Sequence, residues 1–517
     1  VMVPNSLGPG ELLLHYGTKE QQERWLPSLA KGDDVPCFAL TGPEAGSDAG
    51  SIPDTGVVCK GMHNGEEVIG LKLNWSKRYI TLAPIATVLG LAFKMYDPEG
   101  LLGDKKELGI TCALIPTDHE GVQTGERHYP LNMAFMNGTT YGKDVFIPLD
   151  WIIGGEKGAG RGWRMLVECL SAGRGISLPA LSTATGHLAS RMTSAYATVR
   201  QQFGVSIGQF EGVQEALARI GGLTYTLESA RLMTAGAIDL KLSPSVVTAI
   251  AKYHMTEMGR TVMNDAMDIH SGKGIQVGPN NYLAHGYMGI PVSITVEGAN
   301  ILTRNLMIFG QGATRCHPFV LKEMEAAAME DQDVALKEFD SLLLQHILFA
   351  GSNAGMAFVH GLTRSYFAKA PVCGATTGYY KQLSRMSRGL AFCTDVAMLV
   401  LGGELKRKEM ISARLGDVLS HLYLASCVLK RYEDEGRQQA DLPFVQYAVE
   451  HSLFCIGQAF DGFFKNFSNP VVNFLLKRIV FPLGNHYHRP SDELAQTMCE
   501  HMSKPGVFRD RLTHLCY

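Results

Sequence analysis

Glu297 stands in Val296-Glu297-Gly298-Ala299-Asn300, a carboxylate beside a glycine where a periodic segment breaks. Shielded from water, such a group is a general base, because desolvation raises its proton affinity towards the working range. Left in water, it is an ordinary carboxylate at a helix start. Taken alone, the second reading is favoured. The segment Phe38-Ala39-Leu40-Thr41-Gly42-Pro43-Glu44-Ala45-Gly46-Ser47-Asp48 is a strand running into a loop rich in glycine and hydroxyls. Backbone N–H groups and hydroxyls in such a loop approach a polar ligand closely, and the same residues also make a plain decorated turn. Gly154 to Gly162 has the glycines of a phosphate loop but no following Gly-Lys-Ser/Thr, so it reads as a hinge. His486-Tyr487-His488 lacks a partner ligand set and reads as surface, and Lys406-Arg407-Lys408 reads as a solvated helix face. No metal site is expected.

These residues need a scaffold, and the chain is long enough for one. Its 517 residues allow about three domains. At 46% hydrophobic and 19% charged it has an ordinary globular composition, and the net charge of -3 gives no footing for nucleic acid. The 11 cysteines are scattered without a CxxC pair, which fits a reducing, cytoplasmic compartment and buried thiols. No signal peptide precedes Val1, and the uncharged run Thr81 to Phe93, broken by Pro84, is too short to span a bilayer. The start at Val1 and the end at Leu515-Cys516-Tyr517 read as those of a piece of a longer chain.

Hydrophobic spacing divides the chain into four segments. Residues 11–31 have helical periodicity, with Leu12, Leu13, Leu26 and Leu29 on the buried side. From 37 to about 150, β-rich runs such as Val57-Val58-Cys59, Glu67-Val68-Ile69, Ala86-Thr87-Val88-Leu89, Ile110 to Ile115 and Asp144 to Ile147 alternate with turn residues, as in a compact antiparallel β-domain. Long alanine-rich helical segments fill 161–311, one of them starting at Ser243-Pro244 and ending at Gly272-Lys273-Gly274. An acidic stretch at 325–337 leads to a second helical region, 338 to about 465, in which Leu415, Val418, Leu419, Leu422 and Leu429 form an apolar core stripe. The tail beyond 466, rich in Pro and His, is expected to be irregular. The fold class is therefore α+β. Its domains are N-terminal helices over 1–36, a central β-domain over 37–152, a helical bundle over 153–324 and an additional helical domain over 325–517.

Five motifs in this order resemble the acyl-CoA dehydrogenase family. The Phe38–Asp48 segment resembles its flavin-contacting signature. Lys77-Arg78-Tyr79-Ile80-Thr81 resembles its second flavin strand, with Tyr79 in place of the usual Trp. Arg200-Gln201-Gln202-Phe203-Gly204 with Gln214 resembles its Arg-x-x-Phe-Gly…Gln element. Asp268-Ile269-His270-Ser271-Gly272-Lys273-Gly274 resembles its adenine-side loop, with Asp268 and Ser271 departing from the pattern. Val296 to Asn300 resembles its Glu-Gly-Thr base motif. Family members place the base there or immediately before an Arg on an earlier helix; here that Arg corresponds to Arg174, and Gly173 precedes it. Pro4 to Gly10 and Ile411-Ser412-Ala413-Arg414-Leu415-Gly416-Asp417 are further similar to the large proteobacterial fatty-acyl-CoA dehydrogenases, which carry a second helical domain.

The resemblance implies FAD as cofactor, held by Leu40, Thr41, Ser47, Tyr79, Thr81, Arg200, Phe203, Gln214, Gly272, Gly274 and Ala299. Arg200 would reach the pyrophosphate of a neighbouring subunit's FAD, a ligand suited to a guanidinium fork. It implies Glu297 as the base that removes the α-proton of a fatty acyl-CoA, with Ser47, Arg174 and Gly298 at the substrate. The product would be a trans-2-enoyl-CoA, as in the first step of fatty-acid β-oxidation. Electron-transfer flavoprotein is the expected acceptor, and a homodimer the expected assembly. The full-length protein is expected to touch the inner membrane, if at all, through segments missing here. An acyl-CoA oxidase using oxygen and a flavin-free scaffold relative remain as alternatives.

Overall fold

Thr18 explains why the first helical stretch is two helices. Its hydroxyl accepts from Gln21 N–H while the Gln21 side chain accepts from Thr18 N–H, a reciprocal cap that starts α2 (Lys19–Lys31) anew after α1 (Val3–Tyr16). The computed structural model describes residues 3–242 and 244–516. Ser243, at the expected helix start Ser243-Pro244, lies outside the described residues, and so do the first two residues and the last.

The β-rich runs become β1 (Pro36–Ala39), β2 (Thr55–His63), β3 (Glu66–Thr81), β4 (Val88–Tyr96), β5 (Glu107–Pro116), β6 (Val122–Arg127) and β7 (Asn137–Pro148). They form one sheet in the order β1-β4-β2-β3-β7-β6, with β5 on β4. The sheet is largely antiparallel, but β1 and β2 each pair with β4 in parallel, Pro36 opposite Val88 and Thr55 opposite Lys94. Parallel neighbours need an intervening crossover, and here β2 and β3 themselves lie in the chain between β1 and β4. Leu71, Leu73, Leu91, Phe93, Ala113 and Ile147 fill one face of the sheet; Leu12, Leu13, Phe38 and Val88 join Met165, Leu166 and Cys169 on the other.

The helical remainder begins with α3 (Gly162–Val199), followed by the two-residue strands β8 (Gln201–Gln202) and β9 (Val205–Ser206), α4 (Glu211–Asp239), α5 (Ser245–His270), the single turn α6 (Gly272–Ile275) and α7 (Ala284–Thr295). Another single turn, α8 (Asn300–Leu302), runs through a π-helical turn, Thr303–Ile308, into α9 (Phe309–Arg315). Then come α10 (Val320–Ala327), α11 (Gln332–Leu362), α12 (Thr377–Leu401), α13 (Glu409–Asp434), α14 (Leu442–Asn466), α15 (Pro470–Val480), α16 (Asp492–Ser503) and α17 (Val507–Leu512). The expected irregular tail beyond 466 is thus corrected. Asn469 caps α15 with Pro470 in its first turn, and Ser491 caps α16, so the residues that look like breakers are start signals. Thr81 to Phe93 is also not the longest apolar stretch: the run from Ser341 to Thr363 is longer and holds no Asp, Glu, Lys or Arg. By length and composition α11 and the segment Thr377–Lys406 are each apolar enough to cross a membrane.

Two compact units result, residues 1–178 with 291–298, and 179–290 with 299–517. In the second unit, the segments expected as separate bundle and added domain share one core. Leu217, Leu223 and Met255 belong to the same buried cluster as Leu415, Phe444, Phe460 and Met502. The Leu415–Leu429 stripe lies inside it, with Leu419 partly buried.

Three neighbouring histidines stand together inside this unit: His254 on α5, His421 on α13 and His451 on α14. Ring centroids are 5.0 Å apart for the first pair and 6.5 Å for the second. Burial holds them neutral, pushing His254 down to about 3, His451 down to about 4 and His421 well below its usual value. The charged and titratable groups acting on them are Arg304, Asp417, Arg489 and Arg219, with Cys455 beside His451. Unfolded histidine titrates near 6.5, so below that pH the unfolded chain binds more protons than the folded one, and stability falls as pH drops from about 6.5 towards 4. Each histidine contributes a slope approaching about 1.4 kcal/mol per pH unit in that window. Urea unfolding between pH 7.5 and 4.5 should show a shallower pH slope for His421→Leu than for the natural chain; equal slopes would remove these histidines as its source.

Candidate active site

The loop after β1 is anchored by a lysine without water. Lys77 is fully buried on β3; its ammonium contacts the Asp54 carboxylate and donates to the Leu40 carbonyl at 2.8 Å. The other Asp54 oxygen accepts from Ser76 N–H at 2.9 Å. Arg78 N–H donates to the Thr41 carbonyl, and Gly42 N–H to Ala45, closing the loop on itself. Burial lowers the Lys77 pKa and the Asp54 charge opposes that shift.

One residue beyond this anchor the β3–β7 ladder slips, between Lys77 and Ile80, and Tyr79 takes a left-handed backbone (φ 61°). A bulge re-aims the side chain at that position. Tyr79 is 57% exposed, with the Arg78 guanidinium 4.9 Å from its ring and His128 tilted beside it at 5.5 Å. Thr41 and Thr81 are half-buried and Ser47 is exposed. This unit therefore brings Leu40, Thr41, Ser47, Tyr79 and Thr81 onto two strand ends joined by backbone hydrogen bonds. Lys77 and Asp54, which hold those ends, escape notice in the sequence, because Ser76-Lys77-Arg78 looks like a solvated run.

Glu297 belongs to the same unit, in the turn after α7. It and Gly298 are consecutive left-handed residues, φ 56° and 93°. Glycine adopts that conformation freely, but glutamate does not, and such strain concentrates at functional positions. Arg174, on α3, donates from Nε to the Glu297 carbonyl at 3.0 Å. Burial lowers the Arg174 pKa and Glu297 opposes the shift. Both carboxylate oxygens of Glu297 are shielded from water. The arrangement can hold an acidic side chain in a dry place on a fixed backbone. Arg174, expected at the substrate, here touches the main chain of Glu297.

The other expected residues lie in the second unit. Arg200 is exposed at the foot of the β8–β9 hairpin, whose turn residues Phe203 (φ 52°) and Gly204 (φ 81°) are both left-handed. Phe203 is 96% exposed at the tip. The Gln214 side chain donates to the Gly208 carbonyl at 3.2 Å, and the Gln214 carbonyl accepts from Cys499 of α16. Gly272 is exposed with open space where a Cβ would stand, whereas a Cβ on Gly274 would meet the Met267 carbonyl at 3.0 Å. His270, beside Gly274, stacks on the Tyr196 ring at 4.2 Å and hydrogen-bonds Tyr282 OH at 2.6 Å. Ala299 leads into Asn300, which accepts from buried Lys252 at 2.7 Å and donates to Glu257 and Thr256. Asp417, from the motif Ile411–Asp417, takes a two-point hydrogen bond from Arg304 of the π-helical turn, which gives that motif a packing role.

Among the described residues, two clusters of histidine with carboxylates include none of the expected site residues, and each is internally explained. Glu228 is gripped at both oxygens by Arg231, next to His187 and His514. His317 Nδ1 accepts the N–H groups of Phe319 and Val320, so its proton sits on Nε2 and is donated to Asp395 at 2.8 Å. His346 bridges Glu323 and Asp395, whose hydrogen bonds and charges raise its pKa against the opposing effect of burial.

Removing the Asp54 charge leaves the Lys77 ammonium buried beside a neutral amide. Asp54→Asn should destabilise the protein by about 3–5 kcal/mol in chemical denaturation. The loss should shrink as pH rises from 7 to 9, because the unfolded lysine keeps its proton up to about 10.4 while the stranded, folded one gives it up earlier. A pH-independent loss would mean that Asp54 acts only through its bond to Ser76.

The architecture has known relatives. Three domain models match in chain order: "Acyl-CoA dehydrogenase, middle domain" over residues 37–145, "Acyl-CoA dehydrogenase, C-terminal domain" over 160–308, and "Acyl-CoA dehydrogenase, C-terminal, bacterial type" over 314–517. The probable acyl-CoA dehydrogenase FadE10 of Mycobacterium tuberculosis is 26% identical over 482 residues, 89% of this chain and 69% of its own. The mitochondrial short-chain specific acyl-CoA dehydrogenase of Bos taurus is 32% identical over 277 residues, 53% of this chain and 62% of its own. A local match, 62% identical over 108 residues (21% of this chain, 62% of the other), is to Protein HemX of Proteus mirabilis. The chain thus spans between 62% and 69% of the length of these curated relatives. Among solved structures, an acyl-CoA dehydrogenase from Bacillus anthracis complexed with FAD superposes with TM-score 0.72 over 96% of this chain and 80% of its own, at 17% identity, a likeness of fold. One from Geobacillus kaustophilus gives 0.51 over 59% and 76%, at 25% identity.

Proposed function

Because the chain belongs to the acyl-CoA dehydrogenase family, we propose that it is the catalytic part of an FAD-dependent enzyme that oxidises a saturated fatty acyl-CoA to the trans-2-enoyl-CoA, with Glu297 as base. The observation that carries this is the Glu297 turn: a left-handed backbone, a carbonyl held by Arg174, and carboxylate oxygens kept from water. An α-proton beside a thioester is weakly acidic. A carboxylate removes it usefully only where desolvation makes the carboxylate a stronger base and where nearby donors meet the charge that develops on the thioester oxygen. The Glu297 N–H is the donor this chain would offer, and Arg174 acts as a positioning residue by fixing the peptide that follows it.

The residues of the first unit fit a flavin. An exposed tyrosine ring turned out by the bulge offers a flat apolar wall, and the Thr41, Ser47 and Thr81 hydroxyls with the Gly46 backbone offer hydrogen bonds around a planar edge. Leu40, Arg200, Phe203, Gln214, Gly272, Gly274 and Ala299 are assigned to the rest of the cofactor by the family pattern. Bound FAD would accept the β-hydride. Electron-transfer flavoprotein is assigned as acceptor, fatty-acid β-oxidation as the process, the cytoplasm as the compartment and a homodimer as the assembly; Ser47, Arg174 and Gly298 are assigned beside the acyl-CoA.

Glu297→Gln should keep the yellow colour and acyl-CoA binding while losing about 10²–10⁴-fold in turnover. Anaerobic bleaching near 450 nm with a C8 to C16 acyl-CoA series checks both variant and natural protein. Near-normal bleaching by the variant would end the base assignment, and a natural protein that binds FAD but never bleaches would end the substrate assignment.

A further inference from the structure

One charge in the second unit has no counter-charge. Arg385, on α12, is 2% exposed. Its Nη2 donates to the Val480 carbonyl at 3.0 Å, while Nε and Nη1 meet no acceptor in the protein. Among the described residues it makes no ion pair, whereas Arg431, buried on α13, has Glu435 at 2.7 Å from its Nε. A guanidinium keeps its proton in a protein, so withdrawing it from water is costly unless an anion faces it.

The surroundings are donors as well. The Tyr487 hydroxyl stands beside the guanidinium, buried and without a hydrogen-bond partner in the protein. Tyr487 is the centre of His486-Tyr487-His488 and the one residue of the three that is buried. Near the end of α11, His360 is buried with neither ring nitrogen bonded. The next residue, Gly361, packs on Pro482 and lies near the Val480 carbonyl that Arg385 holds, which brings α11 to the same place. Burial and the Arg388 and Arg385 charges lower the His360 pKa, so its ring stands neutral with one N–H to give. Ser365, whose N–H donates to the His360 carbonyl at 2.7 Å, is buried with an unpartnered hydroxyl. Asp461, the carboxylate that the segment after α15 reaches, is engaged by the Asn485 amide at 2.6 Å. Two exposed cations act on the histidines here, Arg388 on His360 and Arg364 on His486, and they favour the approach of a negative ion. Water can fill hydrogen bonds in such a place, but it leaves the charge uncompensated.

We propose that Arg385 and Tyr487, with His360 as a further donor, hold a small spherical anion of the chloride class where α11 and α12 meet the segment after α15. Both two-point edges of a guanidinium include Nη2, and here Nη2 is committed to the Val480 carbonyl. A planar carboxylate or a phosphate therefore loses the fork that recognises it. The remaining donors are single ones, and a spherical anion accepts single donors from any direction. The Phe481 ring, 5.6 Å from the guanidinium carbon, adds an apolar wall. The ion would be structural, fastening the end of α11 to α12 and to the chain after α15. The proposal is independent of the chemistry assigned to Glu297.

Crystals of the natural protein soaked in bromide should show an anomalous peak in contact with Arg385 and Tyr487. In thermal melts at constant ionic strength, replacing gluconate by chloride should raise the midpoint saturably. Arg385→Met should abolish that rise, yet melt no lower than the natural chain in gluconate, because the uncompensated charge is gone. Tyr487→Phe keeps the guanidinium and loses one donor, so the chloride concentration at half effect should rise about 3- to 10-fold, a test that stands even where the methionine variant fails to fold. Absence of bromide from the site, a chloride response that survives Arg385→Met, or a half-effect concentration unmoved by Tyr487→Phe overturns the proposal. So does stabilisation by phosphate that chloride does not give, which would assign the site to an oxyanion.

Discussion

A cation without water sets the geometry on which the candidate loops depend. Lys77 lies inside the first unit and can stay charged only if its donors find oxygen, and the oxygens within reach are the Asp54 carboxylate and the Leu40 carbonyl. Satisfying one ammonium therefore ties the end of β1 to β3 at the point where the hydroxyl-rich loop begins. The second unit repeats the device. Lys252, also fully buried, donates to Asn300, whose amide spans Thr256 and Glu257 at the start of the segment after Glu297-Gly298-Ala299. A satisfied buried charge is directional where an apolar contact is not, which suits a loop whose backbone must stand at one angle.

The Glu297 turn obeys the same logic with the sign reversed. A carboxylate withdrawn from water is unstable as an anion, and the positive charge near it, Arg174, spends a hydrogen bond on the peptide carbonyl of Glu297. The guanidinium thus fixes the backbone that carries the acid, and burial opposes the guanidinium's own charge.

How much of this is legible in the sequence varies with the kind of signal. Alternating apolar runs locate the strands, and helical periodicity locates α4, α5 and α13, because burial on one face is written directly into residue type. The parallel pairing of β1 and β2 with β4 has no such signature, since it is a matter of topology. Tyr79 and Glu297 give no local sign of a left-handed backbone, a conformation that tertiary contacts impose and that only glycine and asparagine advertise. Lys77 and Lys252 are passed over because lysine is read as solvated by default. The helices α15, α16 and α17 are obscured by prolines and histidines, since a proline or polar residue marks a helix start only when a periodic apolar segment comes directly after it.

The C-terminal helices complete the bundle's core. Gly221 and Gly222 on α4 leave room that Met502, Phe444 and Tyr447 occupy at distances where an added Cβ would clash, 2.6 Å from the Met502 sulfur and 2.2 Å from the Tyr447 ring. Gly416 on α13 faces Phe309 and Ile308, beside the Arg304–Asp417 pair, where an added Cβ would make only ordinary contacts. Contacts across α4, α9, α13, α14 and α16 belong to one cooperative core. The helices that lead to Arg200 and carry Gln214 and the Gly272–Gly274 turn therefore share their core with residues beyond 400.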